Sequence, residues 1–160
     1  MSAIPPAYLA RFAPYMTAPP IDVLACARSV GLPIFATPLQ NGVSGMLVRH
    51  DPKAGDSGFV CYVDSTEPSV RQRFTAAHEL GHFSLHRHLI GETHQDNYLL
   101  RAQGFSNQQE TQANAFAADL LMPRNLIEQQ MEAGVTAVAD LAKVFLVSQI
   151  AMSIRLGLPT

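Results

Sequence analysis

Apolar side chains recur along this chain with two different periods, one typical of helices and one typical of strands. Between Ile21 and Val30 the spacing is helical and Gly31 ends the run, which predicts a short amphipathic helix. Short apolar runs between turn-rich segments predict three strands, at residues 33–36, 45–49 and 58–63. Five prolines interrupt residues 1–20, so we expect an N-terminal arm without regular structure there.

The second half of the chain has a helical pattern almost throughout. A helix with Pro68 in its first turn should run to about His86. Residues 87–108 lack a clean period and are predicted to form an exposed connection. Further helices are predicted at 107–122, 126–132, 137–145 and 149–156. A length of 160 residues suits one domain, which we place at residues 21–160.

The segment RFTAAHELGHFSLHRH, from Arg73 to His88, places ionisable residues in a helix that is otherwise apolar on most sides. Such groups need a partner, because an unpaired buried charge is costly. His78 and His82 are four residues apart and share a helix face with Glu79 beside them, which is the H-E-x-x-H pattern. A Zn²⁺ ion would be a suitable shared partner, since it accepts two imidazoles and a third protein ligand.

The third ligand has alternatives within the same helix. His88 follows His78 by ten residues, as in metzincins, but Leu85 stands where that arrangement needs glycine. His86 would lie two turns along the axis from His78. We therefore expect His86 and His88 to be exposed residues at the helix end.

Glu110 is the preferred third ligand, because it opens a second apolar helix and can approach the metal from a separate element. Asn114 follows one turn later on the same face, where it could hydrogen-bond a ligating histidine. The alternative for Glu110 is an ordinary first-turn carboxylate stabilised by the helix dipole. Three residues of the predicted connection also stay open as ligands: Glu92, His94 and Asp96.

Charge and composition narrow the function classes. Eleven Lys plus Arg against thirteen Asp plus Glu give a net charge of −2 without a basic run, so we expect no direct nucleic-acid partner. Cys26 and Cys61 form no metal-type or redox-type pair and are predicted to be free buried thiols. Neither a signal peptide nor an apolar run long enough for a bilayer is visible, so we expect a cytoplasmic protein without membrane contact.

The last two predicted helices meet tightly at Leu146 and Val147, as the helices of a helix-turn-helix motif do. However, the second of them offers only Arg155 as a contact to bases or phosphates. Packing against the body of the protein or a protein partner is the better interpretation. With the connection at 87–108, these helices could frame a groove for a peptide segment.

The chain resembles the ImmA/IrrE family of metallopeptidases through RFTAAHELGH and the downstream ETQANAFAADLLMP together. The strand GFVCYVD and the ending VFLVSQIAMSIRLGL are similar too, so the resemblance covers residues 20–158. Two motifs in this order are more specific than H-E-x-x-H alone. The resemblance implies an α+β, zincin-like minimal metallopeptidase domain, with a small three-stranded sheet packed on the active-site helix and a helical C-terminal half.

The resemblance also implies roles for individual residues. His78, His82 and Glu110 would be the zinc ligands, in a gluzincin-like arrangement, and Glu79 would be the catalytic base. Glu79 would take a proton from the zinc-bound water and pass it to the leaving amine. The candidates for stabilising the oxyanion are Tyr98, His94 and Arg101.

Characterised members of the family cleave helix-turn-helix repressors, sometimes as part of a toxin-antitoxin pair. The resemblance therefore implies a zinc-dependent endopeptidase that cuts one cytosolic repressor or antitoxin encoded nearby. One alternative is a non-catalytic, zinc-stabilised toxin or antirepressor that sequesters its partner, and another is a different zinc hydrolase such as an amidase. Glu79 argues against the sequestering alternative, because a structural zinc site needs no base.

Overall fold

A four-stranded sheet packs on one long helix in this computed structural model, which describes residues 1–40, 42–91, 93–97 and 104–160, with the backbone alone at 94–97. The strands are β1 (Ile34–Thr37), β2 (Val43–Arg49), β3 (Phe59–Asp64) and β4 (Thr93–Asn97). The helices are α1 (Pro6–Phe12), α2 (Val23–Ser29), α3 (Ser69–His86), α4 (Asn107–Leu121), α5 (Arg124–Glu132), α6 (Val138–Phe145) and α7 (Gln149–Arg155).

The sheet has the order β1-β3-β2-β4, with β1 parallel to β3 and β2 antiparallel to both of its neighbours. β2 and β3 carry fully buried side chains, such as Leu47 and Val60, and both strands contact α3. All three predicted strands are present. They belong to a mixed α+β fold with a helical C-terminal half, as expected.

The fourth strand corrects the prediction that residues 87–108 are only an exposed connection. Thr93–Asn97 pairs along β2, with His94 opposite Leu47. Its sequence, THQDN, contains no apolar alternation, because an edge strand needs only backbone pairing and is often polar. The hydrophobic pattern therefore gave no signal for it.

The N-terminal segment also departs from its prediction, because it contains α1 followed by a 3-10 turn at Ala13–Tyr15. Pro6 lies at the start of α1, where a missing backbone N–H costs nothing, so the proline begins the helix and does not break it. Ile4 and Phe12 are buried, and the Phe12 ring meets the Phe116 ring of α4 edge to face, with centroids 6.2 Å apart. The expectation of an irregular arm is wrong for these residues.

The crossing of α3 and α4 decides where the first residues of α4 lie. A Cβ added at Gly81 of α3 would lie 3.2 Å from the Ala113 carbonyl oxygen and 3.2 Å from Phe116 Cβ. The two helices therefore approach more closely than a side chain at position 81 would comfortably allow. This close approach brings the N-terminal turn of α4 beside the middle of α3.

The C-terminal helices α6 and α7 pack next to α3 and α4. Leu146 adopts a left-handed conformation (φ 52°) between α6 and α7, and the Ser148 side chain accepts from the Ala151 N–H at 3.0 Å. Arg155 holds α7 in place: its Nη1 lies 2.8 Å from Asp119 Oδ1, and its Nε donates to the Met122 carbonyl at 2.9 Å.

The two cysteines are free and buried, as the sequence predicts. Burial raises the pKa of Cys26 to about 12, and burial together with the nearby Glu79 raises the pKa of Cys61 well above its usual value. Both thiols are therefore protonated at neutral pH. Among the described residues, no helix is both long enough and apolar enough to span a bilayer.

Candidate metal centre

Two helices bring one cluster of metal-ligating side chains together. His78 Nε2 lies 3.1 Å from Glu110 Oε2, and His82 Nε2 lies 3.1 Å from Glu110 Oε1. The ligand atoms of all three residues lie within 4.8 Å of one another, and both histidines are buried. Ligands held about 2.1 Å from a tetrahedral zinc ion are about 3.4 Å apart, so the spacing suits that ion.

A hydrogen bond of His78 shows which of its two ring nitrogens is available to ligate a metal. His78 Nδ1 lies 2.8 Å from the side-chain oxygen of Asn114, on α4. Because an amide oxygen only accepts, Nδ1 donates to it, and Nε2 is the nitrogen whose lone pair can ligate a metal. That lone pair points at the Glu110 carboxylate, so a cation between them would satisfy both groups. The donor set, two imidazoles and a carboxylate, fits zinc.

The protonation states suit the same ligand. Burial lowers the pKa of His82, and this effect outweighs its hydrogen bond with Glu110. Burial alone would raise the pKa of Glu110, but hydrogen bonds donated by Nε2–H groups of His78 and His82 hold that pKa well below the usual range, and a metal ligated by the same Nε2 atoms would take the place of those protons. The cluster at neutral pH is therefore a neutral His82 beside a carboxylate, the forms in which these side chains ligate zinc.

Glu79 directly follows His78 in α3 but lies on another side of that helix, and its side chain is fully buried. A Cβ added at Gly45 of β2 would lie 2.6 Å from Thr75 Cγ2 and 3.0 Å from Glu79 Cγ. The absence of a side chain at Gly45 therefore allows β2 to pass directly over Glu79. Gly45 is absent from the predicted site residues, although a glycine inside a predicted strand is a signal of close approach.

His86 corrects the expectation of an exposed helix-end residue. It is only 4% exposed, its Nδ1 lies 3.0 Å from His82 Nδ1, and its Nε2 lies 2.7 Å from Gln112 Oε1. The reason is tertiary, since the close approach of α4 at Gly81 covers this end of α3. The spacing of four residues from His82 was the available signal. His88, in contrast, is exposed as expected.

One aromatic side chain packs on the second histidine from the segment before α4. The Phe105 ring stacks on the His82 ring with centroids 4.1 Å apart and planes 17° apart. The same ring is 5.3 Å from the His86 ring. Phe105 thus restricts the rotation of His82.

Several candidates from the predicted connection are not tested by the structure. Tyr98 and Arg101 lie outside the described residues, as does Glu92, and only the backbone is described at His94 and Asp96. Their roles as oxyanion stabilisers or ligands stay predictions.

A groove of 540 Å³ opens beside the cluster, between α3, α4 and α7, and His78 and Asn114 form part of its lining. Apolar side chains line much of the remainder: Phe74, Met122, Val147, Ile150 and Ile154. Ile150 and Ile154 are 64% and 66% exposed, so α7 presents apolar surface here. Three arginines also line the groove, of which Arg71 pairs with Glu67 at 3.3 Å and Arg155 with Asp119 at 2.8 Å, and the third is Arg124.

Comparisons with known proteins bear on the fold and the family. A model of the M78 peptidases, described as the IrrE N-terminal-like domain, matches residues 27–157. A solved structure, a Mycobacterium tuberculosis transcriptional regulator, is similar with a TM-score of 0.61 and 18% identity, over 95% of this chain and 46% of that chain. At this identity the likeness concerns the fold alone, and this chain spans less than half the length of that regulator. A search of curated proteins returned no match.

Proposed function

Because the chain belongs to the M78 peptidase family of IrrE N-terminal-like domains, we propose that it is a zinc-dependent endopeptidase. Membership of this family agrees with the resemblance seen in the sequence. The observation that carries the proposal is the convergence of His78, His82 and Glu110 within 4.8 Å, with the buried Glu79 next to His78 in the sequence of the same helix. A zinc ion that only stabilises the fold would need the three ligands but no adjacent carboxylate.

The residues of this chain divide the chemistry of peptide hydrolysis among them. When bound by His78, His82 and Glu110, zinc supplies a polarised scissile carbonyl and a water whose pKa is lowered towards about 7. Glu79 accepts one proton from the attacking water and delivers it to the nitrogen of the leaving amine. Hydrolysis then consumes one water and releases one carboxyl and one amino end. Asn114 holds His78 in the tautomer that ligates through Nε2.

The groove beside His78 supports a polypeptide substrate. Its apolar lining and the nearby Arg124 suit a segment that carries bulky apolar side chains near an acidic one. Specificity for one partner would come from this docking surface, because peptide-bond chemistry itself does not discriminate among proteins.

The proposed substrate is a helix-turn-helix repressor or antitoxin encoded nearby, cut at one site in the cytoplasm. The family resemblance supports this class of partner. Direct action on DNA is disfavoured, because Arg155, the cation of α7, is engaged with Asp119 and Met122. The net charge of −2 points the same way.

The test is incubation of the zinc-loaded protein with the purified repressor from the adjacent gene, followed by mass spectrometry. We expect one cut in the repressor, no digestion of unfolded casein, and loss of the cut when a chelator removes the metal. Restoring zinc should restore the cut. An intact repressor that is nevertheless bound would favour the sequestering alternative, and cleavage of small amides alone would favour an amidase.

A further inference from the structure

We propose that His86 and Gln112 position the metal ligand His82, through a chain of hydrogen bonds that runs from α4 back to α3. Neither residue belongs to the proposed set of metal ligands, so His86 and Gln112 are positioning residues. The inference rests on the proposed zinc site and extends it to residues outside the H-E-x-x-H motif.

The donor and acceptor at each hydrogen bond follow from Gln112, the residue at which the series ends. Gln112 Oε1 is an acceptor, so His86 Nε2, 2.7 Å away, must donate to it. A neutral His86 then has a lone pair on Nδ1, which accepts from His82 Nδ1–H at 3.0 Å. His82 Nε2 is left with its lone pair, and this is the atom that lies 3.1 Å from Glu110 Oε1.

Because the two histidines are buried, the loss of one of these hydrogen bonds would change the state of His82. His82 is fully buried and His86 is 4% exposed, so water is a poor substitute for either hydrogen-bond partner. Without an acceptor at Nδ1, His82 would gain by turning its ring or by moving its proton to Nε2. Either change would remove the lone pair that the metal needs. His86 therefore fixes both the tautomer and the ring orientation of the ligand.

Residues of α4 thus orient both proposed histidine ligands of α3, one by a direct hydrogen bond and the other through an intermediate residue. Asn114 reaches His78 Nδ1 directly, whereas Gln112 acts on His82 through His86. The short stretch ETQAN, residues 110–114, supplies the third ligand and the ends of both supports. About one and a half turns of α4 therefore supply one ligand and help to orient the other two.

The test compares His86→Leu with His86→Asn. The asparagine oxygen is three bonds from Cα, as Nδ1 of histidine is, so it can accept from His82 Nδ1–H, whereas leucine cannot. We expect the zinc affinity, measured by competition with a chelator, to fall roughly 10- to 100-fold in His86→Leu. In His86→Asn it should stay close to that of the unaltered protein. Equal loss in both variants, or no loss in either, would overturn the inference.

Gln112 provides a second pair of variants at a position that is not buried, because its side chain is exposed. Gln112→Leu should weaken zinc binding and Gln112→Glu, which keeps an acceptor, should not. His88→Leu, at an exposed histidine nearby, serves as the control and should bind zinc normally. If the His86 variants fail to fold, a Gln112→Leu affinity equal to that of the unaltered protein overturns the inference.

The same measurements separate this inference from the proposed function. An unaltered protein that binds no zinc would remove both. Normal zinc binding by the unaltered protein and equally by both leucine variants would remove the positioning role alone and leave the zinc site standing.

Discussion

Glu79 is close in sequence to His78 and His82, but its side chain contacts a different element of the fold. The Nε2 atoms of His78 and His82 face the Glu110 carboxylate on α4, whereas Glu79 lies against Gly45 of β2. A base must stay outside the set of metal ligands to receive a proton from water. This division between two sides of α3 is the basis for assigning separate roles.

Glu79→Gln tests that division. The amide keeps the shape of the side chain and leaves all three ligands in place, but it cannot take a proton from water. We expect the variant to keep its zinc and its fold while its kcat falls roughly 10²- to 10⁴-fold. The matched control is Glu128→Gln, at an exposed glutamate on α5 that is distant from Glu79 in the sequence. This variant should cleave normally. Near-normal cleavage by Glu79→Gln would take the base role away from this residue.

At the scale of elements, the site depends on how closely α4 crosses α3. The Ala113 carbonyl and Phe116 occupy the space next to Gly81, so the N-terminal turn of α4 is held beside the histidines. Small residues at helix crossings allow such approaches, because no side chain separates the two backbones. The position of Glu110 is therefore a consequence of the crossing.

Gly81→Ala should disturb that crossing. The added methyl group would force the helices apart at an estimated cost of about 1–3 kcal/mol, which a helix-propensity gain of up to about 1 kcal/mol only partly offsets. Chemical denaturation should show lower stability, and chelator competition should show weaker zinc binding. Gly91→Ala adds the same methyl group where nothing lies within 4 Å and should change neither quantity. Unchanged zinc affinity in Gly81→Ala would contradict the role given to the crossing.

The sequence predicted what local spacing determines. Two histidines four apart share a helix face whatever surrounds them, and an apolar helix with Glu110 in its first turn supplies a carboxylate near its N-terminal end. The burial of His86 was not predictable in this way, because it depends on the path of α4 over α3. β4 was missed for a related reason, since its pairing uses backbone groups that leave no mark in the hydrophobic pattern.

At the scale of the whole molecule, the C-terminal helix is fastened across the same two helices that carry the site. Asp119 of α4 lies 2.8 Å from Arg155 Nη1 and also accepts from the Ala3 N–H at 2.6 Å. Asp119 therefore links the N-terminal segment, α4 and α7. Since α7 forms one wall of the groove, this link maintains the proposed docking surface as well as the fold.

Arg155→Met should loosen that wall. It removes a charge-assisted pair and the bond to the Met122 carbonyl, and it leaves a partly buried carboxylate, with an estimated loss of about 1.5–3 kcal/mol in unfolding free energy. Repressor cleavage should show a raised KM with little change in kcat, because the metal ligands are untouched. Lys143→Met, at an exposed lysine of α6, is the control. A fall in kcat at unchanged KM would contradict a role confined to docking.

If His78, His82 and Glu110 hold one zinc ion, elemental analysis of the purified protein measures it directly as metal content per chain. We expect about one zinc per chain in the unaltered protein, far less in Glu110→Ala, and an unchanged amount in His88→Ala, whose side chain is exposed and outside the cluster. Absence of zinc after purification and zinc reconstitution, or equal metal content in the two variants, would contradict the claim.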